Sequence, residues 1–166
     1  MNRNNELIQE MITYYTGDPK RIQHFLKVYE FARLIGESEH LDTQTQHILE
    51  TAAIVHDIGI KNAEIKFGNC NGKLQEQEGP APARELLASL EYAPDVIDRV
   101  CYLVAHHHTY QNVNGSDYRI LLEADFLVNL YEDGLDSTAV SNALKNIFRT
   151  ATGKNICQTM FGLSSN

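Results

Sequence analysis

LETAAIVHDIGI, Leu49 through Ile60, is an apolar run that ends on an ionisable pair, His56-Asp57, followed closely by a glycine, Gly59. Leu49, Ala52, Ala53 and His56 keep the three-and-four spacing of one helix face, so the stretch predicts a helix with an imidazole on its buried side. Thr43 is placed to cap that helix, which also carries Ile48 and Val55 and ends near Gly59. Neighbouring residues diverge by about 100° around a helix, so His56 and Asp57 can face one point only where the helix is ending. Gly59 permits that ending.

Towards the N-terminus, Leu7, Ile8, Met11, Ile12 and Tyr15 repeat at helical period, and Gly17 closes the segment. Asp18-Pro19 then supplies an N-cap and a proline at the first helical position of a second helix, running to about Gly36. Beyond His56-Asp57, residues 60–77 show no clean period and contain Gly68, Asn69, Asn71 and Gly72, which predicts a loop or small insertion. Helices are expected at about 80–91 and 95–106, the second entered through Pro94 and Asp95, then a polar turn over 109–117. Two more are expected at about 118–132 and 137–150. No segment alternates as a strand would, and no repeat or linker divides the chain. Residues 1–166 read as one all-α domain, a compact multi-helix bundle with its site between helices.

The polar residues that interrupt apolar stripes locate that site. His24 falls in register with Val28, Phe31 and Ile35, and Asp125 with Leu121, Leu122 and Val128. A carboxylate on a buried face must be paired or bound to a cation, because burying it alone costs several kcal/mol. Taken singly, each has an ordinary structural explanation: a hydrogen-bonded core histidine, or an aspartate capping a neighbouring helix. Together, His24, His56, Asp57 and Asp125 can converge from three helices. Neutral imidazole with carboxylate suits Mn, Fe, Co, Ni or Zn better than Mg.

Composition narrows the partners. The chain has 166 residues, with 14 Lys and Arg against 22 Asp and Glu, a net charge of −8. No basic run offers a nucleic-acid polymer a footprint, and no apolar stretch approaches the ~20 residues of a membrane span. The opening residues carry no apolar leader, and three widely spaced cysteines, Cys70, Cys101 and Cys157, suit a reduced, cytoplasmic protein. Ile156, Met160, Phe161 and Leu163 would dock either on the bundle or on a second subunit of a homodimer. Seven histidines are present, three of them consecutive at 106–108; His40 and His47 read as surface residues.

Three segments, RIQHFLKVYEFA around His24, LETAAIVHDIG around His56-Asp57 and LLEADFLVNL around Asp125, resemble the HD-domain superfamily of metal-dependent phosphohydrolases. The resemblance spans residues 21–130 and follows that superfamily's ligand order, His … His-Asp … Asp. It implies an all-helical bundle and one divalent ion held tightly by His24, His56, Asp57 and Asp125, with Asp57 able to bridge to a second. It also implies hydrolysis of a phosphate ester or anhydride of a nucleotide or similar small metabolite by a metal-activated water. In that chemistry His56 and Asp57 are the catalytic pair, and Asp57 orients the water. The alternative is a non-catalytic sensor of the same fold that binds metal and nucleotide. Many relatives read HDIGK, whereas here Lys61 stands one place later. Where dinuclear relatives carry a histidine before Gly-Ala, this chain has Glu76-Gln77-Glu78-Gly79-Pro80, so either Glu76 or Glu78 replaces it as a harder ligand or, the favoured reading, each is a solvated loop residue. His106 or His107 would bind substrate phosphate or a second metal, Arg21 and Lys61 would neutralise phosphoryl oxygens, and Tyr110 or Tyr118 would stack on a base.

Overall fold

The computed structural model describes residues 3–164 and is entirely helical among them. The elements are α1 (Arg3–Tyr14), α2 (Pro19–Ser38), α3 (Thr43–Val55), α4 (Gly59–Phe67), α5 (Gly72–Glu78), α6 (Pro80–Ser89), α7 (Pro94–Val104), α8 (Ser116–Glu132), α9 (Ser137–Asn146) and α10 (Ala151–Phe161). Local chemistry sets most boundaries. Asp18 accepts from the Arg21 amide at the start of α2, with Pro19 behind it, and Asp42, one place before Thr43, caps α3 through the Gln44 and Thr45 amides. Asn71, Asp136 and Thr150 cap α5, α9 and α10 in the same way.

α2 packs on both α3 and α8, α3 also meets α7 and α8, and α1 lies across α3. The core at their junction includes Phe25, Val28, Ile35, Leu49, Ala52, Leu103, Leu121 and Leu122, none more than 1% exposed. Fully burying one such aliphatic side chain is worth about 1.5–3 kcal/mol, so the α2–α3–α7–α8 contact dominates stability. No helix among the described residues is long and apolar enough to cross a membrane.

Residues 60–77 are not the expected loop. They form α4 and α5, which pack on each other. Periodicity missed them because their apolar residues define no face: Ile60 and Ala63 are buried in α4, while Ile65 and Phe67 are exposed. What holds them is backbone contact. A Cβ on Gly59 would lie 2.6 Å from both the Gln75 carbonyl oxygen and the Gly79 nitrogen. Gly59 therefore marks the start of α4 pressed against the α5–α6 junction, whereas α3 already ends at Val55.

The expected 137–150 helix stops at Asn146, and the C-terminal apolar residues lie on and beyond α10. Ile156, Phe161 and Leu163 pack against the bundle, whereas Met160 is exposed. The buried Glu123 on α8 anchors α10, accepting from the Arg149 amide at 2.6 Å, the Thr150 amide at 3.0 Å and the Thr150 hydroxyl at 2.5 Å.

Candidate metal centre

His56, Asp57 and Ile58 form a turn between α3 and α4 in which His56 and Ile58 keep helical torsions, and both the His56 and Asp57 side chains reach the interior. Two tyrosines on and just beyond α1 donate to carbonyls of this turn, one of which, that of Asp57, also accepts from the Ile60 amide at 3.0 Å. Tyr15 donates to the Asp57 carbonyl at 2.6 Å and Tyr14 to the Ile58 carbonyl at 3.1 Å. Burial, followed by the Asp57 charge, pushes the Tyr15 hydroxyl far above its ordinary pKa, so it stays a donor.

Four side chains from α2, the turn and α8 converge there. His24 Nε2 lies 3.3 Å from His56 Nε2, 3.3 Å from Asp57 Oδ2 and 3.2 Å from Asp125 Oδ1. His56 Nε2 lies 3.4 Å and 3.5 Å from the same two carboxylate oxygens. A fifth group enters from the end of α7, where His107, fully buried, places Nε2 3.4 Å from Asp57 Oδ1. Asp57 thus faces two clusters, one with His24 and His56, the other with His107 and His108, each with ligand atoms within 4.8 Å of one another.

The proton arrangement decides what this cluster accepts. His24 Nδ1 faces Glu132 at 3.2 Å, His56 Nδ1 faces the Ala53 carbonyl at 2.8 Å, and His107 Nδ1 faces the Val104 carbonyl at 2.7 Å. These acceptors take the Nδ1 protons, which leaves three Nε2 lone pairs pointing inward beside two carboxylates. His107 Nε2 is buried without a hydrogen-bond partner. A buried convergence of acceptors with no donor fits a cation. Protons take that role otherwise. Burial pulls the His24 and His56 pKa values down, but bonds and charges from Asp125 and Asp57 override it and raise both. Burial likewise works to raise Asp57 and Asp125, yet the surrounding histidines hold both below the ordinary carboxylate range.

The cluster forms the floor of a cavity of about 370 Å³, whose walls include Lys20, Arg21, Cys70, Gln75, Asn129 and Asp133. Arg21 lines it while paired with Asp18 at 3.0 Å and Glu64 at 2.5 Å. Several sequence candidates lie elsewhere. Lys61 donates to the Tyr14 carbonyl at 3.1 Å and sits over that ring, and Glu78 pairs with Lys66 at 2.5 Å, which keeps its carboxyl below the usual range. Glu76 accepts from the His108 amide and the Thr109 hydroxyl, fixing the loop after α7. His106 stacks on Tyr102 with centroids 4.2 Å apart and does not line the cavity. Tyr118 is buried and donates to two carbonyls of the same loop, so it offers no face to a base. His47 is half-buried against Tyr92.

Sequence reasoning missed His108, Glu132 and Asn129. His108 donates to Gln75 at 2.8 Å, and burial followed by the neighbouring His107 lowers its pKa to about 4. Its direction depends on the turn after α7, which periodicity does not describe. Glu132 and Asn129 were readable: they stand seven and four residues after Asp125, on the same face of α8.

A family model for the HD domain matches residues 21–140. The fold is similar to that of a crystal structure described as a predicted HD superfamily hydrolase from an uncultured Thermotogales bacterium. That similarity has a TM-score of 0.68 at 20% identity and covers 95% of this chain and 84% of the other. No curated protein matches the chain. Proteins with this domain are generally metal-dependent hydrolases. With the helical bundle and the His/Asp cluster at its centre, the matched model places this chain in the HD-domain family.

Proposed function

We propose that the chain is a metal-dependent phosphohydrolase acting on a phosphate ester or anhydride of a nucleotide or similar small metabolite. The observation that carries the reading is the cluster of inward lone pairs from His24, His56, Asp57 and Asp125 beneath a cavity walled by Lys20 and Arg21. Imidazole and carboxylate in that ratio favour Mn, Fe, Co, Ni or Zn over Mg at one tight site, and Asp57 with His107 and His108 offers a place for a second ion. A divalent ion there supplies Lewis acidity and acidifies a water towards neutral pH. The chain does the rest. Asp57 reaches both clusters through its two oxygens, so it is placed to orient the attacking water and accept its proton. Lys20 and Arg21 attract the phosphoryl oxygens, Arg21 being held in place by Glu64 and Asp18. The acidic net charge of −8 does not oppose a small phosphate, because a bound cation inverts the local field.

The test is metal analysis followed by a hydrolysis screen of nucleoside mono-, di- and triphosphates, cyclic nucleotides and sugar phosphates under Mn, Co, Ni, Zn and Mg. Stoichiometric metal and release of phosphate or nucleotide from at least one class is the expected result, with both lost in Asp125→Ala. Metal retained without turnover on any class would favour a sensor of the same fold. Protein that stays metal-free under all five ions would remove the reading.

A further inference from the structure

Beside the metal cavity lies a second one of about 310 Å³, lined by Tyr110, Phe126, Leu130 and Leu135, and the two adjoin along His108, Asn129 and Asp133. The geometry points to this second cavity as the seat of the substrate's organic body, an aromatic ring bearing hydrogen-bond donors, with the phosphoryl group over the metal cluster. The assignment rests on the phosphohydrolase reading and adds to it where the non-reacting part is held and by what.

α8 builds the connection. Asp125, Asn129 and Asp133 succeed one another at four-residue intervals, so they climb one face from the metal cluster to the mouth, about 6 Å per step. Phe126 and Leu130, one position further on, turn the adjoining stripe into the apolar wall. Tyr110 closes that wall from the loop after α7. Its ring meets Phe126 edge-on, with centroids 5.2 Å apart and planes at 70°, and remains 44% exposed, so it has surface left for a ring to cover. The loop presenting it is anchored. Tyr118 donates to the His106 and Thr109 carbonyls, and Glu76 holds the His108 amide and the Thr109 hydroxyl.

Acceptors outnumber donors along the polar seam between the cavities. Asn129 gives one amide hydrogen to Asp125 Oδ1 at 2.8 Å, which leaves its oxygen and one N–H for another partner. The Asp133 carboxylate makes no hydrogen bond or ion pair with another described residue. His108 has already given its Nε2 proton to Gln75. A ring entering between Tyr110 and Leu135 therefore meets acceptors at its polar edge and gains most by bringing amino or hydroxyl donors.

Calorimetric titration of adenosine and of cytidine, which bear such donors but no phosphate, tests the site in both metal-loaded and metal-stripped protein. Binding in both states is expected, with Kd at least fivefold weaker in Tyr110→Ala and in Leu135→Asp, two half-exposed positions; if one variant fails to fold, the other decides. Absence of binding by both nucleosides, or variants that bind as well as the parent, would overturn the assignment. Inorganic phosphate, titrated into metal-loaded protein, separates the two readings. Phosphate bound without nucleoside sinks the ring site alone, whereas nucleoside bound by protein that takes up neither metal nor phosphate sinks the phosphohydrolase reading and, with it, the cavity's assignment to a substrate.

Discussion

Glu132, in the cavity wall, acts on the cluster through His24. It lies 3.2 Å from His24 Nδ1 and also accepts from Lys27 at 2.9 Å, so its charge is shared between a ligand's outer nitrogen and a lysine. Holding Nδ1–H there fixes the tautomer that turns the Nε2 lone pair inward. Glu132→Gln keeps an acceptor but removes the charge, and outer partners of this kind typically govern metal affinity by about 10–100-fold. Titration of metal-stripped Glu132→Gln with Mn or Co should give a Kd weaker by a factor in that range; affinity equal to the parent's would show that Glu132 serves Lys27 alone. Residue by residue, His24, His56 and Asp125 were readable as candidates because each interrupts an apolar stripe, and Asp57 because it stands next to His56 at a helix end. Glu132 was equally readable by its spacing from Asp125 but looks like an ordinary charge at a helix end. Lys61 failed as a candidate for the converse reason: its flexible side chain turns towards Tyr14, and sequence position does not fix that choice.

Among the elements, the short α4–α5 pair sits closest to the His56-Asp57 turn and depends on glycine. Gly59→Ala would drive a methyl group to 2.6 Å from the Gln75 and Gly79 backbones, neither of which can rotate away as a side chain would. Overpacking of this kind costs about 1–3 kcal/mol. Chemical denaturation should show a loss in that range. Metal affinity should fall with it, because Asp57 is two residues upstream and its turn carbonyls are clamped by Tyr14 and Tyr15. A fully stable variant would mean the α4–α5 unit can slide without cost. These two helices are also where sequence reasoning failed, and for a definable cause. A nine-residue helix and a seven-residue helix that bury few apolar residues give periodicity nothing to register. α2, α3 and α8 bury continuous stripes and were found.

For the molecule as a whole, the site links stability to pH and to metal. In the metal-free protein His24 and His56 have raised pKa values, so the stabilisation from their protonation is complete below the unfolded value near 6.5 and is lost as pH rises through the folded values. Asp57 and Asp125 have lowered values, so their contribution is present above about pH 4 and is lost as pH falls through the folded values. Metal-free protein should accordingly be most stable in mildly acidic solution and lose Tm as pH rises above about 6.5. A divalent ion competes for the same lone pairs, binds better as protons leave, and at a hundred times its Kd adds about 2.7 kcal/mol, or roughly 5–10 °C in Tm. Thermal melts from pH 5 to 9, with and without Mn, should show the two curves diverging as pH rises. Parallel curves would separate the metal from the histidines.

Local period and polar residues set into apolar faces sufficed to read the helical class, the principal helices, and His24, His56 and Asp125, with Asp57 read from its place beside His56. Contacts made in the folded molecule set that His107 and His108 turn inward while His106 stacks on Tyr102, that Glu78 pairs with Lys66, and that residues 60–77 hold α4 and α5. Those outcomes depend on turn geometry, on the choice among competing ion-pair partners, and on backbone contact between Gly59 and the start of α6. Such terms arise between segments distant in the chain, and no local pattern carries them.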